Sequence, residues 1–226
     1  NIGAENAVAF DINAACSGFL FALDTAALYL EHGGYQHALV IGAETLSKMM
    51  DWTDRSTCVL FGDGAGAAVL SVSEEDGILS MVQGSDGFRG DVLNCMARKV
   101  NNPYKKNDMA LSYVSMNGQE VYRFAVKTVP KAVTDAVERA GLHLEEIDLF
   151  LLHQANYRII EAVSKRLGQP MEKFPTNLEE CGNISAASVP ILLDNVNNHG
   201  MMRKGMKIVL AGFGAGLTWG ATVINW

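Results

Sequence analysis

Hydrophobic and polar positions along the chain follow two periods, and together these periods predict an α/β protein. Apolar runs of about four to eight residues favour buried strands, whereas longer stretches with apolar residues three or four apart favour helices. The predicted strands are 7–12, 38–43, 77–84, 148–152, 206–212 and 218–225. The predicted helices are 17–31, 117–140, 156–168 and 185–198.

Breaks in these patterns predict the irregular parts of the fold. Pro130 falls inside the predicted helix 117–140, so we expect it to kink or divide that helix. Residues 88–113 are polar and without period, which is typical of a surface loop. The glycine-rich "GDGAG" that starts at Gly62 is expected to form a turn with a strand on either side.

One internal repeat bears on the domain organisation. "GDGAGAAVLSV" from Gly62 and "GFGAGLTWGATVINW" from Gly212 are both expected to run strand, Gly-x-Gly-Ala-Gly, strand. Such self-similarity favours a duplicated half-domain. We therefore predict two similar halves, residues 1–90 and 91–226.

Composition narrows the function classes. The chain has 226 residues, of which 49% are hydrophobic and 19% charged, as in a well-packed soluble protein. A net charge of −7 argues against general nucleic-acid binding, and no apolar run reaches the roughly 18 residues needed to cross a bilayer. Four cysteines without a CxxC pair indicate neither a metal site nor a disulfide framework, so we expect a cytoplasmic protein. The abrupt opening on "NIGAENAVAFDI" suggests the later part of a longer protein.

Cys16 is the first candidate for chemistry, because it lies between a predicted strand and a predicted helix. A helix N-terminus lowers the pKa of a thiol, and the small residues around Cys16 leave room for a substrate. A buried structural cysteine fits the local sequence equally well.

His153 and Asn183 are the other two candidates. His153 follows the apolar strand "DLFLL", at the strand end where α/β proteins place ligand groups, although a lone histidine is more often structural. Asn183, in "ECGNISAAS", is explained equally well as a helix cap. Together, Cys16, His153 and Asn183 form a plausible thiol–imidazole–amide set.

Two other functions share parts of this pattern. Papain-like proteases also have cysteine, histidine and asparagine in this order, but their Cys-Gly-Ser/Ala-Cys signature is absent, and the protease stays a distant alternative. Gly62-x-Gly64-x-x-Ala67 matches a dinucleotide-binding fingerprint in letters only, because "AAVLSV" is strand-like where that motif needs a helix.

Five segments in order resemble the β-ketoacyl-acyl-carrier-protein synthase III family of the thiolase superfamily: "DINAACSGF", "DRSTCVLFGDGAGAAVL", "LLHQANYRII", "GNISAAS" and "GFGAGLTWG". The resemblance implies a five-layered αβαβα thiolase fold whose first half is incomplete here, lacking an N-terminal portion. It implies a bacterial acyltransferase that starts type II fatty-acid synthesis by a decarboxylating condensation of acyl-CoA with malonyl-acyl carrier protein. No metal or other cofactor is implied, and members pair as homodimers through the strand before the nucleophile, here 7–12.

The resemblance also assigns roles to individual residues. Cys16 would carry the acyl group, His153 and Asn183 would stabilise the enolate, and the N–H groups of Cys16 and Ala215 would form an oxyanion hole. Family members more often have glycine at the position of Ala215, where a positive φ would disfavour alanine. Contacts to coenzyme A or pantetheine are implied for Arg55, Gly118, Asn156 and Phe213.

Basic residues at helical spacing suggest a site for an acidic partner. Arg158, Lys165 and Arg166 fall on one face of the predicted helix 156–168, and Arg123 begins a similar stripe on helix 117–140. Such stripes are usually solvated surface, but the resemblance implies that these four residues dock acyl carrier protein. A carrier-binding module without catalysis and an acyltransferase of secondary metabolism remain as alternatives.

Overall fold

The computed structural model describes residues 2–96, 100–107 and 112–226. In these ranges the strands are β1 (His37–Thr45), β2 (Asp63–Ser71), β3 (Ile78–Ser85), β4 (Leu93–Cys95), β5 (Val114–Met116), β6 (Leu149–Leu152), β7 (Lys207–Gly214) and β8 (Thr218–Asn225). The α-helices are α1 (Gly18–Glu31), α2 (Gly118–Arg139), α3 (Tyr157–Leu167), α4 (Leu178–Cys181) and α5 (Ser188–Asn198). Residues 97–99 and 108–111 of the predicted loop lie outside the described residues.

Two sheets organise these elements. β1 and β2 form an antiparallel pair, and the larger sheet has the order β3-β8-β7-β6, in which only β6 and β7 run parallel. The short pair β4–β5 stands apart from both. Since β3 pairs with β8 along its length, it belongs to the larger sheet, although the predicted boundary after residue 90 assigns it to the first half.

Strand alternation in the larger sheet separates two hydrophobic cores. On β7, Ile208 and Leu210 pack with α1 and α5, whereas Val209, Ala211 and Phe213 face α2 and α3. The first core also includes Val40 of β1, so α1 and α5 lie between the two sheets. The described residues thus form a β–α–β–α stack, four of the five predicted layers.

The outer face of the β1–β2 pair is apolar and exposed. Leu39 pairs with Val69 across the strands, and Ile41 is the next outward residue on β1. Their exposed fractions are 45% for Leu39, 69% for Val69 and 56% for Ile41. This face therefore exposes apolar surface of the kind that is usually covered by another part of a protein.

The repeat lies in the order of elements rather than in the glycine motifs. A helix and two antiparallel strands recur as α1–β1–β2 and α5–β7–β8. The prediction of a turn at "GDGAG" is wrong, because Asp63 to Gly66 already belong to β2, and the residues before them form turns. "GFGAG" does cross a strand end, where β7 stops at Gly214.

Close packing explains why glycine occurs inside β2. A Cβ atom on Gly66 would lie 2.8 Å from the nitrogen of Ile191 and 2.9 Å from the carbonyl carbon of Pro190, both on α5. These separations are far below ordinary carbon contacts. The glycines allow the helix backbone to approach the strand backbone.

The predicted strand 7–12 is also wrong for this structure. These residues have no strand assignment, and Val8 and Phe10 are 63% and 56% exposed. A strand requires a hydrogen-bonded neighbour, and no described residue supplies one. The helix predicted over 117–140 is confirmed as α2, which continues through Pro130 rather than dividing there.

One acidic side chain, Asp24, lies in the protein interior. Asp24 of α1 is buried and accepts hydrogen bonds from Gln83 and Thr222, and burial raises the pKa of its carboxyl to about 6.

Among the described helices, none is long and apolar enough to cross a membrane.

Replacing Gly66 with alanine should lower the free energy of unfolding by on the order of 1–3 kcal/mol, because the added methyl group collides with the backbone of α5. Urea denaturation monitored by circular dichroism measures the change. Gly34→Ala is the matched control, since nothing lies within 4 Å of a Cβ atom at that exposed position. Equal stability of the two variants would contradict the packing argument.

Candidate active site

Cys16 lies in a 3₁₀ turn, Ala15–Ser17, that leads directly into α1. Asn13 Oδ1 accepts the N–H of Ala15 at 3.1 Å, and the N–H of Ser17 donates to the carbonyl of Ala14 at 3.1 Å. Ala15 has φ of 46°, in the left-handed region that non-glycine residues rarely adopt. Local hydrogen bonds therefore hold a strained turn around the cysteine.

The end of β7 packs against this turn. A Cβ atom on Gly214 would lie 2.7 Å from Cys16 Cβ and 2.8 Å from Cys16 N, so only glycine permits the contact. Thr218 at the start of β8 adds a second tie, with its Oγ1 3.0 Å from the carbonyl oxygen of Ala14. The "GFGAG" segment thus forms the strand end against which the Cys16 turn packs.

His153 is held at the neighbouring strand end. Its N–H donates to the carbonyl of Ala211 at 2.7 Å, which extends the parallel pairing of β6 with β7 by one residue. The side chain is 2% exposed, and its ring packs edge-on against Phe213 with centroids 5.4 Å apart. Nδ1 is buried and has no partner among the described residues. The imidazole therefore keeps hydrogen-bonding capacity for a ligand.

Asn183 is fixed through its backbone and one side-chain atom. Its N–H donates to Leu60 and its carbonyl accepts from Gly62, both at 2.9 Å, which ties it to the segment before β2. Oδ1 accepts the N–H of Ser185 at 2.9 Å. The acceptor side of the amide is thereby used, and the NH₂ group is left to donate.

Ser185 connects the asparagine segment to the nucleophile. The 3₁₀ turn Ser185–Ala187 contacts the turn Ala15–Ser17, and a hydrogen bond from Ser185 lowers the pKa of the Cys16 thiol. Ser185 also has φ of 46°. The sequence analysis missed this residue, because its hydroxyl meets Cys16 only through tertiary packing. A serine two residues after a candidate active-site asparagine was the available signal.

The pKa of Cys16 contradicts the expectation of an acidified thiol. Burial is the largest effect and raises the pKa from 9.0 to about 11. The hydrogen bond from Ser185 and the backbone N–H of Cys16 lower it, while the negative charge of Glu44 raises it. Loss of water outweighs the stabilisation expected at the helix start.

The same burial sets the charge of His153. It lowers the pKa of the imidazole from 6.5 to about 3, so the ring is neutral at physiological pH. Cys16 and His153 are therefore both uncharged in the resting site. A thiolate–imidazolium pair would require the opposite shifts.

Two further predicted site residues lie near the end of β7. Phe213 is buried beside His153, and Ala215 is half-buried one residue beyond the strand. The expected positive φ falls on Gly216, at 137°, and not on Ala215. Alanine is thus accommodated at 215 without strain.

The predicted coenzyme A contacts are more peripheral. Arg55 is exposed in the turns that precede β2, and Gly118 is the exposed first residue of α2. Asn156 is exposed and caps α3, with Oδ1 accepting the N–H of Arg158 at 2.8 Å. None of these three contributes to the Cys16 turn.

The four basic residues predicted for carrier docking are all exposed. Arg123 lies on α2, and Arg158, Lys165 and Arg166 lie on α3, which packs against α2. Arg123 pairs with Glu120 at 2.6 Å and Lys165 with Glu161 at 2.8 Å, each within its own helix.

No group of three or more metal-ligating side chains occurs in the part of the chain that the structure describes. The donors that act on Cys16 are the Ser185 side chain and a backbone N–H group, while a neutral imidazole lies at the neighbouring strand end and a carboxamide lies two residues before Ser185. Such donors suit the stabilisation of negative charge on a carbonyl oxygen.

Two family models match most of the chain. The family model "3-oxoacyl-[acyl-carrier-protein (ACP)] synthase III" matches residues 10–87, and that for the C-terminal part of the same enzyme matches 137–226. The chain is 50% identical over 226 residues to the β-ketoacyl-[acyl-carrier-protein] synthase III of Clostridium acetobutylicum, covering 100% of this chain and 70% of that protein. The Thermosynechococcus vestitus enzyme of the same name is 51% identical over 230 residues, again covering 100% of this chain and 70% of that protein.

Solved structures confirm the thiolase-like α/β fold. The 3-oxoacyl-[acyl-carrier-protein] synthase III of Aquifex aeolicus superposes with a TM-score of 0.90 at 41% identity, covering 99% of this chain and 68% of that one. The priming β-ketosynthase of the R1128 polyketide pathway gives 0.91 at 39% identity, covering 99% and 67%. With matches along nearly its whole length, the chain belongs to the 3-oxoacyl-[acyl-carrier-protein] synthase III family.

Proposed function

We propose that this chain is the acyltransferase that condenses an acyl-CoA primer with malonyl-acyl carrier protein to give 3-ketoacyl-acyl carrier protein. One observation carries the proposal: a buried thiol lies in a turn that contacts Ser185–Ala187, just after Asn183, and packs against the same strand end that holds a neutral imidazole. The thioester is the only activated group required, so the proposed chemistry uses no additional cofactor.

In the first half-reaction, Cys16 Sγ attacks the thioester carbonyl of acyl-CoA and coenzyme A leaves as a thiol. The proton of Cys16 passes, in net terms, to the departing sulfur, so a thiol that rests protonated is compatible with the exchange. The N–H groups of Cys16 and Ala215 are proposed to bind the oxyanion, where each donor contributes about 3–4 kcal/mol.

In the second half-reaction, the malonyl group loses CO₂ and its enolate carbon attacks the carbonyl of the acyl-cysteine. The carbon–sulfur bond then breaks, and Cys16 leaves as a thiolate that takes a proton from solvent to restore the thiol. The enolate oxygen needs donors and no nearby negative charge. A neutral His153 and the NH₂ group of Asn183 meet this need, because burial keeps the imidazole uncharged and Ser185 occupies the amide oxygen. We assign enolate stabilisation to these two side chains.

Delivery of the substrates is assigned to the more exposed residues. Arg55, Gly118, Asn156 and Phe213 are proposed to line the path of coenzyme A and pantetheine. The NH₂ group of Asn156 suits this role, since only its Oδ1 is used in capping α3.

The exposed basic residues of α2 and α3 are proposed to dock acyl carrier protein. The residues are Arg123, Arg158, Lys165 and Arg166. These residues lie on two helices that pack side by side, which supports one continuous basic docking surface on an otherwise acidic protein.

Assembly also remains a proposal. We propose a homodimer that pairs through residues 7–12, which are exposed and carry strand-favouring side chains without a neighbouring strand. A further N-terminal portion is supported by the uncovered apolar face of Leu39, Ile41 and Val69. A cytoplasmic location is supported by the cysteine spacing.

One second candidate is favoured by a specific similarity. The R1128 protein is a priming β-ketosynthase of a polyketide pathway. The second candidate function is therefore priming of secondary metabolism, with a different acceptor after the same acylation of Cys16. Comparing acyl carrier proteins of the two kinds as acceptors separates these functions.

Incubation with radiolabelled acetyl-CoA or another short acyl-CoA should label Cys16 as a thioester, because this sulfur is the proposed nucleophile. Scintillation counting after gel filtration measures the label. Cys16→Ser should abolish it, whereas Cys95→Ser, at an exposed cysteine, should label normally. Equal labelling of the Cys16→Ser protein would defeat the assignment.

His153→Ala should lower condensation about 10²–10³-fold while sparing acyl transfer, because the imidazole acts on the enolate and not on the first carbonyl. Single-turnover acylation and steady-state condensation assays measure the two steps. His32→Ala, at the exposed end of α1, is the control. A larger loss in acyl transfer than in condensation would reassign His153.

Alkylation of Cys16 by iodoacetamide should accelerate with pH up to about pH 11, because burial keeps the thiol protonated at neutral pH. Peptide mass spectrometry follows the Cys16 peptide, with exposed Cys95 as the reference for the reagent. A papain-like pair would instead give a rate plateau near neutral pH, and such a plateau would refute the neutral resting site.

A further inference from the structure

Glu44 is a charged residue beside the nucleophile that the reaction steps above do not use. It lies near the end of β1, and its Oε1 accepts the N–H of Ala186 at 3.2 Å. The bond joins two elements that are far apart in sequence. Glu44 is half-buried, and a cavity lined by Ala43, Thr45 and Asp63 opens beside it.

The turn that Glu44 holds is the one that reaches the thiol. Ala186 is the central residue of Ser185–Ala187, between the strained Ser185 and Ala187. β1 contacts this turn at a second point, because a Cβ atom on Gly42 would lie 2.7 Å from the carbonyl oxygen of Ala186. The strand end therefore both approaches the turn closely and satisfies its central N–H.

The strained backbone of Ser185 makes the hydrogen bond between Ala186 and Glu44 important for the shape of the turn. A non-glycine residue in the left-handed region costs roughly 1–3 kcal/mol and persists only where surrounding contacts enforce it. Asn183 Oδ1 holds the N–H of Ser185, and Glu44 holds the next N–H along the chain. Two successive acceptors thus fix the conformation in which the Ser185 hydroxyl meets Cys16.

We propose that Glu44 is a positioning residue for the condensation: it fixes the Ser185–Ala187 turn, and through it the Ser185 hydroxyl and the Asn183 amide, against the nucleophile. The catalytic part of this inference rests on the proposed function. Glu44 itself touches no reacting atom.

The charge of Glu44 has a separate effect. It raises the pKa of the Cys16 thiol beyond the larger effect of burial. Other titratable or charged groups on the surrounding elements include His153 at the end of β6, which is neutral, and Asp24 on α1, which accepts from Gln83 and Thr222. Asp63 and Lys48 interact with each other near the start of β2, and Glu44 is the charged side chain that acts on the thiol. Glu44 is thus the charge through which the pH dependence of the thiol can be tuned.

Two conservative variants separate the acceptor from the charge. Glu44→Gln keeps an oxygen that can accept the N–H of Ala186 but removes the negative charge. Glu44→Asp keeps the charge but withdraws the oxygen by about 1.5 Å, one carbon–carbon bond. Glu74→Gln, at an exposed residue between β2 and β3, is the matched control.

The experiment measures kcat for condensation, the pH profile of Cys16 alkylation and amide hydrogen exchange at Ala186. It compares the unchanged protein with the three variants. Glu44→Gln should keep kcat within about threefold and speed alkylation below the thiol pKa by about two- to threefold, a shift of a few tenths of a pH unit. Glu44→Asp should leave the alkylation profile nearly unchanged, lower kcat about tenfold or more, and accelerate exchange at Ala186. Thermal unfolding by circular dichroism establishes that each protein is folded.

Full kcat in Glu44→Asp, or an equal loss in Glu44→Gln and Glu44→Asp, would overturn the positioning role. Failure of the proposed function has another signature, because then even the unchanged chain would not be acylated. Exchange at Ala186 and alkylation of Cys16 still report on Glu44 in that case. Unchanged exchange in Glu44→Asp would overturn the structural half of the inference as well.

Discussion

The approach of one backbone to another at the end of β7 is the constraint on which the site depends. Cys16 can occupy its turn only because Gly214 offers no side chain at 2.7 Å. The same strand end carries the partner of His153 and the ring of Phe213. A single strand terminus therefore sets the positions of both the nucleophile and the imidazole, and the central helices need only deliver the Cys16 turn to it.

Burial then decides the chemistry of the groups so placed. A water-excluded pocket disfavours every charged form, so it raises the pKa of the thiol and lowers that of the imidazole. The result is a candidate site in which both the thiol and the imidazole are uncharged. Such a site stabilises negative charge only when a substrate develops it, which is the pattern expected for carbonyl chemistry.

Much of this architecture was predictable, and the failures have a common cause. The helix at 17–31 and the strand at 148–152 were predicted from their apolar periodicity, because each buries its side chains against neighbours that any α/β fold supplies. Residues 7–12 have the same apolar character but no neighbouring strand here. The sequence "GDGAG" resembles a turn, yet glycine is needed at Gly66 because the backbone of α5 packs against the strand there. α5 lies far along the chain, so the local sequence does not reveal this contact.

The candidate site divides in the same way. Cys16, His153 and Asn183 could be predicted as candidates because each stands at an element end, a position visible in the sequence. Ser185 and Glu44 could not, because their contacts arise from the packing of β1 and two distant turns. The pKa of Cys16 was mispredicted for the same reason: the local sequence shows a helix start, whereas water exclusion depends on the whole fold.

The deep burial of Cys16 also bears on its fate under oxidative stress. Peroxides attack thiolates at accessible sites, and Cys16 is neither ionised at physiological pH nor open to solvent. Exposed Cys95 offers oxidants a more accessible sulfur. The proposed nucleophile is thus shielded from adventitious oxidation by the same burial that raises its pKa.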